Sequence, residues 1–325
     1  MKTQRVVYMN GDFVPEAEAR VSIYDSALMF GDMVFEMTRS FNSRQFKLRD
    51  HMERLYAGLK ILRIPLDIDM EGLESICLAT CERNAAAFAP DDEHRLMINV
   101  SRGPLSIYTS VFGGQHPGCT LIVADFPLRW TVRGMGTLFD SGINAVIASQ
   151  RAIPSSLLDA KIKNRSRLHY QMANIEVAGY SGDNNWALLL DPDGFVAEGT
   201  GDNFFIVKGD EVITPEGRNI LRGVSRDYVL ELAASLGLKP CERNIEPYDV
   251  YTADEAFMTG TPFCMLPVTS LNGVAIGAGQ GGQTSRRLID AWSAAVGVDI
   301  VGQIKAWDSE SNGERPDGPS PYGFK

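Results

Sequence analysis

The chain is most informative at Glu198-Gly199-Thr200-Gly201-Asp202-Asn203-Phe204-Phe205. A carboxylate ends one apolar run, a glycine-rich turn follows, and the chain re-enters an apolar run at Asn203. A turn of this kind lets backbone approach a planar or anionic ligand closely, because glycine carries no Cβ. Alone it reads more readily as a hairpin loop, since Glu-Gly turns are common. Next come Val212-Ile213-Thr214, and then Leu221-Arg222-Gly223-Val224-Ser225-Arg226, which opens a helix. Free N–H groups at a helix start attract an anion and Ser225 adds a hydroxyl, although a serine there can be a plain cap.

Downstream, Met258-Thr259-Gly260-Thr261-Pro262 offers two hydroxyls and a glycine at a strand end, suited to a second phosphate clamp. Upstream, Lys161, Lys163, Arg165 and Arg167 put four cations within seven residues of a chain whose net charge is −10. Crowding by like charge favours the neutral form of a lysine amine, the form a nucleophile needs. The other reading is a solvated basic helix start.

Around these stretches the chain reads as two domains, α/β (α+β) in class, with a small α/β domain over 1–126, a connecting loop at 127–134, a larger domain over 135–298 and a polar tail over 299–325. In the first domain, Val6 to Asn10 reads as a strand turning at Asn10-Gly11. Leu48, Met52, Leu55, Leu59 and Leu62 recur at helical spacing. A second helix covers about Met70 to Phe88, and strands follow at Leu96 to Val100 and Cys119 to Phe126. In the second domain, a strand at Ile143 to Ser149 precedes a helix from about Arg165 to Gly179. Hairpins turn at Asp191-Pro192-Asp193-Gly194, Lys208-Gly209-Asp210 and Asn272-Gly273. Helices cover Val224 to Leu236 and Gln283 to Ala295.

Composition narrows the function. The acidic total argues against a nucleic-acid surface and favours a small-molecule ligand. No apolar run approaches a membrane span and no secretory leader is visible, so cytoplasm is the expected location. Cys77, Cys81, Cys119, Cys241 and Cys264 fit no zinc or disulfide spacing, and no two of the four histidines have metal-ligand spacing; no metal is expected.

Taken in order, Glu198 to Phe205, Val212 to Thr214 and Leu221 to Arg226 resemble the signature of the class IV (fold type IV) pyridoxal-phosphate aminotransferases, the branched-chain and D-amino-acid group. Phe30-Gly31-Asp32-Met33-Val34-Phe35-Glu36, His51-Met52-Glu53-Arg54-Leu55, Ile162-Lys163 and Thr259-Gly260-Thr261 extend the likeness over roughly 6–296.

The resemblance implies pyridoxal 5'-phosphate as cofactor, bound at a domain crevice in a homodimer or larger homo-oligomer. It implies Lys163 as the lysine that takes the cofactor and moves the proton, with Lys161 the runner-up. It implies Glu198 at the pyridine nitrogen, braced by Asn203, and Arg54, Val224, Ser225 and Thr261 at the phosphate, with Leu221 against one ring face. The partners implied are an amino donor and a 2-keto-acid acceptor.

Substrate choice divides. Phe35 and Arg95 lie where branched-chain enzymes carry phenylalanine and arginine. Pro262 removes one of two successive N–H groups that branched-chain enzymes offer to the substrate carboxylate. Ser101-Arg102-Gly103 resembles the arginine turn of D-amino-acid transaminases, making Arg102 a candidate carboxylate trap. The tyrosine the family places shortly after the lysine, for the ring oxygen, is missing; Arg167 or Leu168 stands there. A D-amino-acid or (R)-amine transaminase is therefore the main alternative. Aminodeoxychorismate lyase is a lesser one, since Met37 stands where its threonine belongs. A regulator that kept the fold would need neither Lys163 nor Glu198.

Overall fold

A computed structural model describes residues 4–310. The chain forms two compact units: 4–128 together with Ile162–Arg167, and Arg129–Lys161 together with 168–310. The six residues around Lys163 thus fold with the first unit, although in sequence they lie inside the second.

The first unit is built on a five-stranded antiparallel sheet. In chain order its strands are β1 (Val6–Met9), β2 (Asp12–Pro15), β3 (Met33–Met37), β6 (His94–Ser101) and β7 (Thr120–Pro127), arranged β2-β1-β7-β6-β3. A small hairpin, β4 (Ser40–Phe41) with β5 (Arg44–Gln45), stands apart, and a one-turn helix α1 (Ser26–Phe30) precedes β3. Helix α2 (Leu48–Leu62) has the bounds that its leucine spacing predicts. Helix α3 (Met70–Asn84) stops short of Phe88 and continues as a 3-10 turn over Ala85–Ala87. Met52, Leu55 and Leu59 of α2, Leu73 and Cys77 of α3, and Val34, Leu96, Ile98, Val100 and Val123 of the sheet form one core.

Alternation along a strand then fixes what the opposite face carries. With Val34 and Glu36 turned to the helices, Phe35 and Met37 face the other way, paired with Asn99 and Met97. Arg95, two residues before Met97 on β6, shares that face. His94 lies on the helix side, stacked on Phe88, with Nδ1 2.8 Å from Asp125 Oδ2. Cys81, His94 and Asp125 come together there, all buried, a grouping that local spacing could not reveal because its members lie on three separate elements.

The second unit is built on a nine-stranded mixed sheet. Its strands are β8 (Ile143–Arg151), β9 (Asn185–Leu190), β10 (Val196–Gly199), β11 (Asn203–Lys208), β12 (Glu211–Thr214), β13 (Lys239–Glu242), β14 (Glu255–Gly260), β15 (Cys264–Leu271) and β16 (Val274–Ala275). The order is β10-β9-β8-β15-β14-β11-β12-β13, with β16 on β15 and a further β10–β11 pairing. The expected hairpins appear between β9 and β10, β11 and β12, and β15 and β16. Helices are α4 (Arg129–Val132), α5 (Leu138–Ser141), α6 (Leu168–Ala178), α7 (Val224–Ser235), α8 (Pro247–Tyr251), α9 (Gln283–Val296) and α10 (Ile300–Glu310).

Three expectations need correction. The stretch 127–134 is not all loop: β7 runs through Pro127 and α4 follows at once. The helix expected from Arg165 starts at Leu168: Lys163 and Asn164 pair with the first unit's β3, and Arg167 N turns back onto Arg165 O at 2.8 Å before the helix begins. The polar tail expected from 299 is helical over Ile300–Glu310, with Ile300, Ile304 and Trp307 buried at helical spacing. The rest of that tail, 311–325, lies outside the described residues.

Candidate functional site

In the first unit the chemistry gathers around β3. Phe35 N donates to Lys163 O at 2.9 Å, and Val34 and Asn164 form an isolated antiparallel bridge, so the lysine segment lies as an extra half-strand beside β3. Ile162, 5% exposed, anchors it in the core. Room for that anchor comes from Gly58 on α2, where a Cβ would sit 3.0 Å from Val34 Cγ1 and 3.6 Å from Ile162 Cγ2.

With Ile162 turned inward, Lys163 turns to the other face. Its Nζ lies 4.8 Å from the centre of the Phe35 ring. Arg165 Cζ sits over the same ring at 3.6 Å and Arg167 Cζ at 5.8 Å. The Arg165 guanidinium donates to Asn99 Oδ1 from Nη2 at 3.1 Å and from Nε at 3.3 Å. Lys161 folds with the second unit, where its Nζ pairs with Asp159 at 2.7 Å.

On the helix side of β3, Glu36 is fully buried and accepts from Arg54 through two bonds, Nε–Oε1 at 2.6 Å and Nη2–Oε2 at 2.8 Å. His51 Nδ1 stands 2.7 Å from Glu36 Oε2. Burial alone would push the Glu36 carboxyl up, but the charges and hydrogen bonds of Arg54 and His51 hold it far below the usual carboxylate range. Burial, with Arg54 and Lys163 as like charges, pushes His51 down against the pull of Glu36. A neutral ring beside an ionised, acceptor-only carboxylate must donate from Nδ1. Arg54 is thereby held in place, with its side chain 13% exposed.

The two candidate substrate arginines differ sharply. Arg102 is committed elsewhere: it donates to Asp32 from Nε at 2.6 Å and Nη2 at 3.2 Å, to Leu62 O at 2.8 Å and to Arg63 O at 2.9 Å. Its charge closes the C-terminus of α2, where it meets the last carbonyls of the helix. Arg95 is 6% exposed. Its Nη2 approaches Met37 Sδ at 3.7 Å, while Nε and Nη1 are buried without a partner. Burial, with the cationic Arg39 and Arg165, pushes it down to about 9, so it remains a cation at neutral pH.

In the second unit the site is built on β10, β11, α6 and α7. Glu198, the third residue of β10, accepts from Tyr170 Oη at 2.7 Å, Asn203 Nδ2 at 3.1 Å and Leu221 N at 2.9 Å. Asn203 also donates to Leu221 O at 2.9 Å, tying the hairpin to the start of α7. Gly223 is required for this approach, since a Cβ there would lie 2.2 Å from Asn203 Oδ1.

Helix α7 begins at Val224 with Gly223 as its cap residue and no side-chain cap bond, so the first N–H groups and the Ser225 hydroxyl are not used up by a cap. Thr259, at the end of β14, is buried with its Oγ1 unpartnered; Thr261 and Pro262 follow in the turn to β15 and are partly exposed. Helix-start donors and a buried hydroxyl without a partner are what a phosphate-bearing cofactor requires. Sequence reading missed Tyr170, Glu36 and Asn99 as members of these groups, while Thr259 lies in the turn it offered as a phosphate clamp. Only Tyr170 carried a local signal, an aromatic hydroxyl shortly after the cationic run.

Comparison with known proteins bears on this geometry. The family described as amino-transferase class IV matches residues 33–271. A Methanocaldococcus jannaschii protein provisionally named a branched-chain-amino-acid aminotransferase is 36% identical over 283 residues, covering 87% of this chain and 93% of its own. The branched-chain-amino-acid aminotransferase of Salmonella typhimurium is 30% identical, covering 88% and 91%. Among solved structures, the Escherichia coli branched-chain amino acid aminotransferase superposes with a TM-score of 0.79 at 27% identity, covering 92% of this chain and 96% of the other. The branched-chain amino acid aminotransferase of Thermobaculum terrenum, in its PLP-bound holo form, superposes at 0.75, with 25% identity and coverage of 94% and 98%.

Proposed function

The chain belongs to the class IV aminotransferases, and on that footing we propose that it is a pyridoxal 5'-phosphate transaminase that moves an amino group between a branched-chain-type amino acid and a 2-keto acid. The observation that carries the chemistry is Lys163 Nζ held among cations at the Phe35 ring. When bound, the cofactor offers an aldehyde that condenses with amines and a protonated ring that withdraws electrons from the amino-bearing carbon.

The chain's own side chains do the rest. Lys163 Nζ would hold the cofactor, and would carry the proton between the amino-bearing carbon and the position beside it. The guanidiniums of Arg165 and Arg167 lie over the same Phe35 ring as that amine. Glu198, held by Asn203 and Leu221, keeps a proton on the ring nitrogen. Arg54, oriented by Glu36, pairs with the phosphate, joined by the Val224 and Ser225 N–H groups, the Ser225 hydroxyl and Thr261. Leu221 packs on one ring face, and Phe35 walls the substrate side chain. Arg95 is completed by the second carboxylate of an acidic co-substrate, since a buried guanidinium without counter-charge is unfavourable.

Homodimerisation in the cytoplasm completes the proposal. Ile23, Leu28, Phe30, Ile107 and Val111 of the first unit are exposed, apolar surface of the kind a second copy could cover. Among the described residues no helix is long and apolar enough to cross a membrane. Pro262 supports the rival reading, a D-amino-acid or (R)-amine transaminase, because it has no N–H to give a carboxylate.

The deciding experiment is a panel of half-reactions on purified holoenzyme with L-leucine, D-alanine and (R)-1-phenylethylamine, read by the cofactor's visible absorbance. Rapid bleaching by L-leucine is expected. Bleaching by D-alanine or the (R)-amine alone would overturn the branched-chain assignment.

A further inference from the structure

Glu198 is 4% exposed, and its two oxygens accept from different elements of the fold. Asn203 Nδ2 and Leu221 N both reach Oε2, at 3.1 and 2.9 Å, while Tyr170 Oη reaches Oε1 at 2.7 Å. A carboxylate oxygen has about two acceptor positions. Oε2 is therefore filled by the scaffold, and a ring N–H held by Glu198 must meet Oε1, the oxygen that Tyr170 also grips.

The tyrosine is set there by its helix. Tyr170, Ala173, Asn174 and Val177 recur at the spacing of one face of α6. Ala173 and Val177 are buried in a core with Val146, Ala187 and Leu189, and the Tyr170 ring packs against the same core. On that face Asn174 Oδ1 also accepts from Thr200 Oγ1 at 3.1 Å. Helix α6 thus holds the turn that follows β10 at two points, Glu198 and Thr200. The hydroxyl missing at 167–168 is not restored by this residue, because Tyr170 points its own at the carboxylate.

We propose that Tyr170 is a positioning residue for the protonation of the cofactor ring. By donating to Oε1 it fixes the direction of that oxygen and lowers its basicity, because a hydrogen bond to the ionised form favours that form. The proton shared between Glu198 and the ring nitrogen then stays on the nitrogen. Without the hydroxyl the carboxylate becomes the stronger base, the proton moves towards it, and electron withdrawal by the ring weakens. This rests on the transaminase reading and deepens it.

The test compares wild type, Tyr170→Phe, Glu198→Gln and the double variant as holoenzymes. Two quantities are read: the saturating rate and half-saturation of the L-leucine half-reaction by stopped-flow absorbance, and the titration of the ring nitrogen by nuclear magnetic resonance of 15N-labelled cofactor. Tyr170→Phe should slow the saturating rate by about tenfold with half-saturation little changed. It should also let the ring nitrogen lose its proton about one pH unit lower than in wild type. Glu198→Gln should slow the rate by about 100- to 1000-fold. The double variant should be no slower than Glu198→Gln, since Tyr170 acts through that carboxylate. Losses that multiply in the double variant, or a slowed Tyr170→Phe with an unmoved ring titration, would overturn the proposal. Tyr170→Gln carries an amide donor and should recover part of the shift; if Tyr170→Phe does not fold, this variant decides by the same titration. Should wild type react with no amine, the transaminase reading fails, while the titration of the bound cofactor still judges Tyr170.

Discussion

Glu36 is a fully buried carboxylate whose ionised form is made stable by its two partners. Its value in the folded protein is far below that in the unfolded chain. The unfolded state therefore binds more protons as acid is added, and the stabilisation is complete above the ordinary carboxylate range and lost as the pH falls below it. Glu36→Gln should cost about 3–5 kcal/mol at pH 7, because Arg54 loses its buried partner. The gap between wild type and variant in urea-unfolding free energy should narrow steadily below about pH 4.5; a gap that stays constant to pH 3 would contradict this account. Arg95 presents the opposite case, a buried cation whose surrounding charges, Arg39 and Arg165, are of its own sign. Arg95→Met should therefore leave the protein no less stable, while lowering the ratio of half-reaction kcat/KM for L-glutamate over L-leucine by about 10- to 100-fold. Arg95→Lys keeps the charge but loses the planar fork, and should fall between. An equal fall for both amines would remove Arg95 from contact with the substrate.

The element that organises the reacting face is the segment Ile162–Arg167, and it is held at both ends by glycines. Gly58 lets α2 pass under Ile162, and Gly31, at φ +66°, lies against Ser166, whose Oγ a Cβ would meet at 2.6 Å. At Gly31 the left-handed backbone also disfavours any side chain. Gly58→Val should therefore cost about 1–3 kcal/mol by overpacking, and should weaken cofactor retention by displacing Lys163. Thermal unfolding together with cofactor content after dialysis checks both, and a variant with lowered Tm but full cofactor content would separate the packing from the site. This segment also shows where sequence reading stops. Glu198, Asn203 and the start of α7 were legible because turn, strand and helix start follow one another along the chain, so local signals accumulate. Lys163 was legible as a residue, but its setting was not. Arg165, Ser166 and Arg167 are compatible with a helix, but Lys163 and Asn164 pair with β3, more than a hundred residues earlier, and the chain then bends, with Arg167 N donating to Arg165 O at 2.8 Å. For the same reason Arg95 and Arg102 looked equivalent in sequence. Their difference comes from Asp32 and the end of α2, which reach Arg102 alone.

At the scale of the whole molecule, a net charge of −10 keeps copies apart in general, so any association must come from a specific apolar surface. The first unit carries one: Ile23, Leu28 and Phe30 lie around α1, and Ile107 lies on the segment that Leu105 N ties to Tyr24 O at 3.1 Å and that Tyr108 ties to Tyr24 by ring contact at 4.5 Å. Between Ile23 and Leu28 the backbone is tied down by Asp25, which accepts from Ala27 N, Ser101 Oγ and Thr120 Oγ1. A face held in place before docking loses less entropy on association, which supports the dimer of the proposed function. Leu28→Glu combined with Ile107→Glu places two like charges on a self-complementary surface, and in a two-fold interface each is repeated by the partner. Light scattering at micromolar concentration should find wild type as a dimer and the double variant as a monomer of about half the mass. Far-UV circular dichroism should match, since both positions are exposed. A wild type that is monomeric under these conditions would remove the dimer from the proposed function. A double variant that stays dimeric would move the interface to another face.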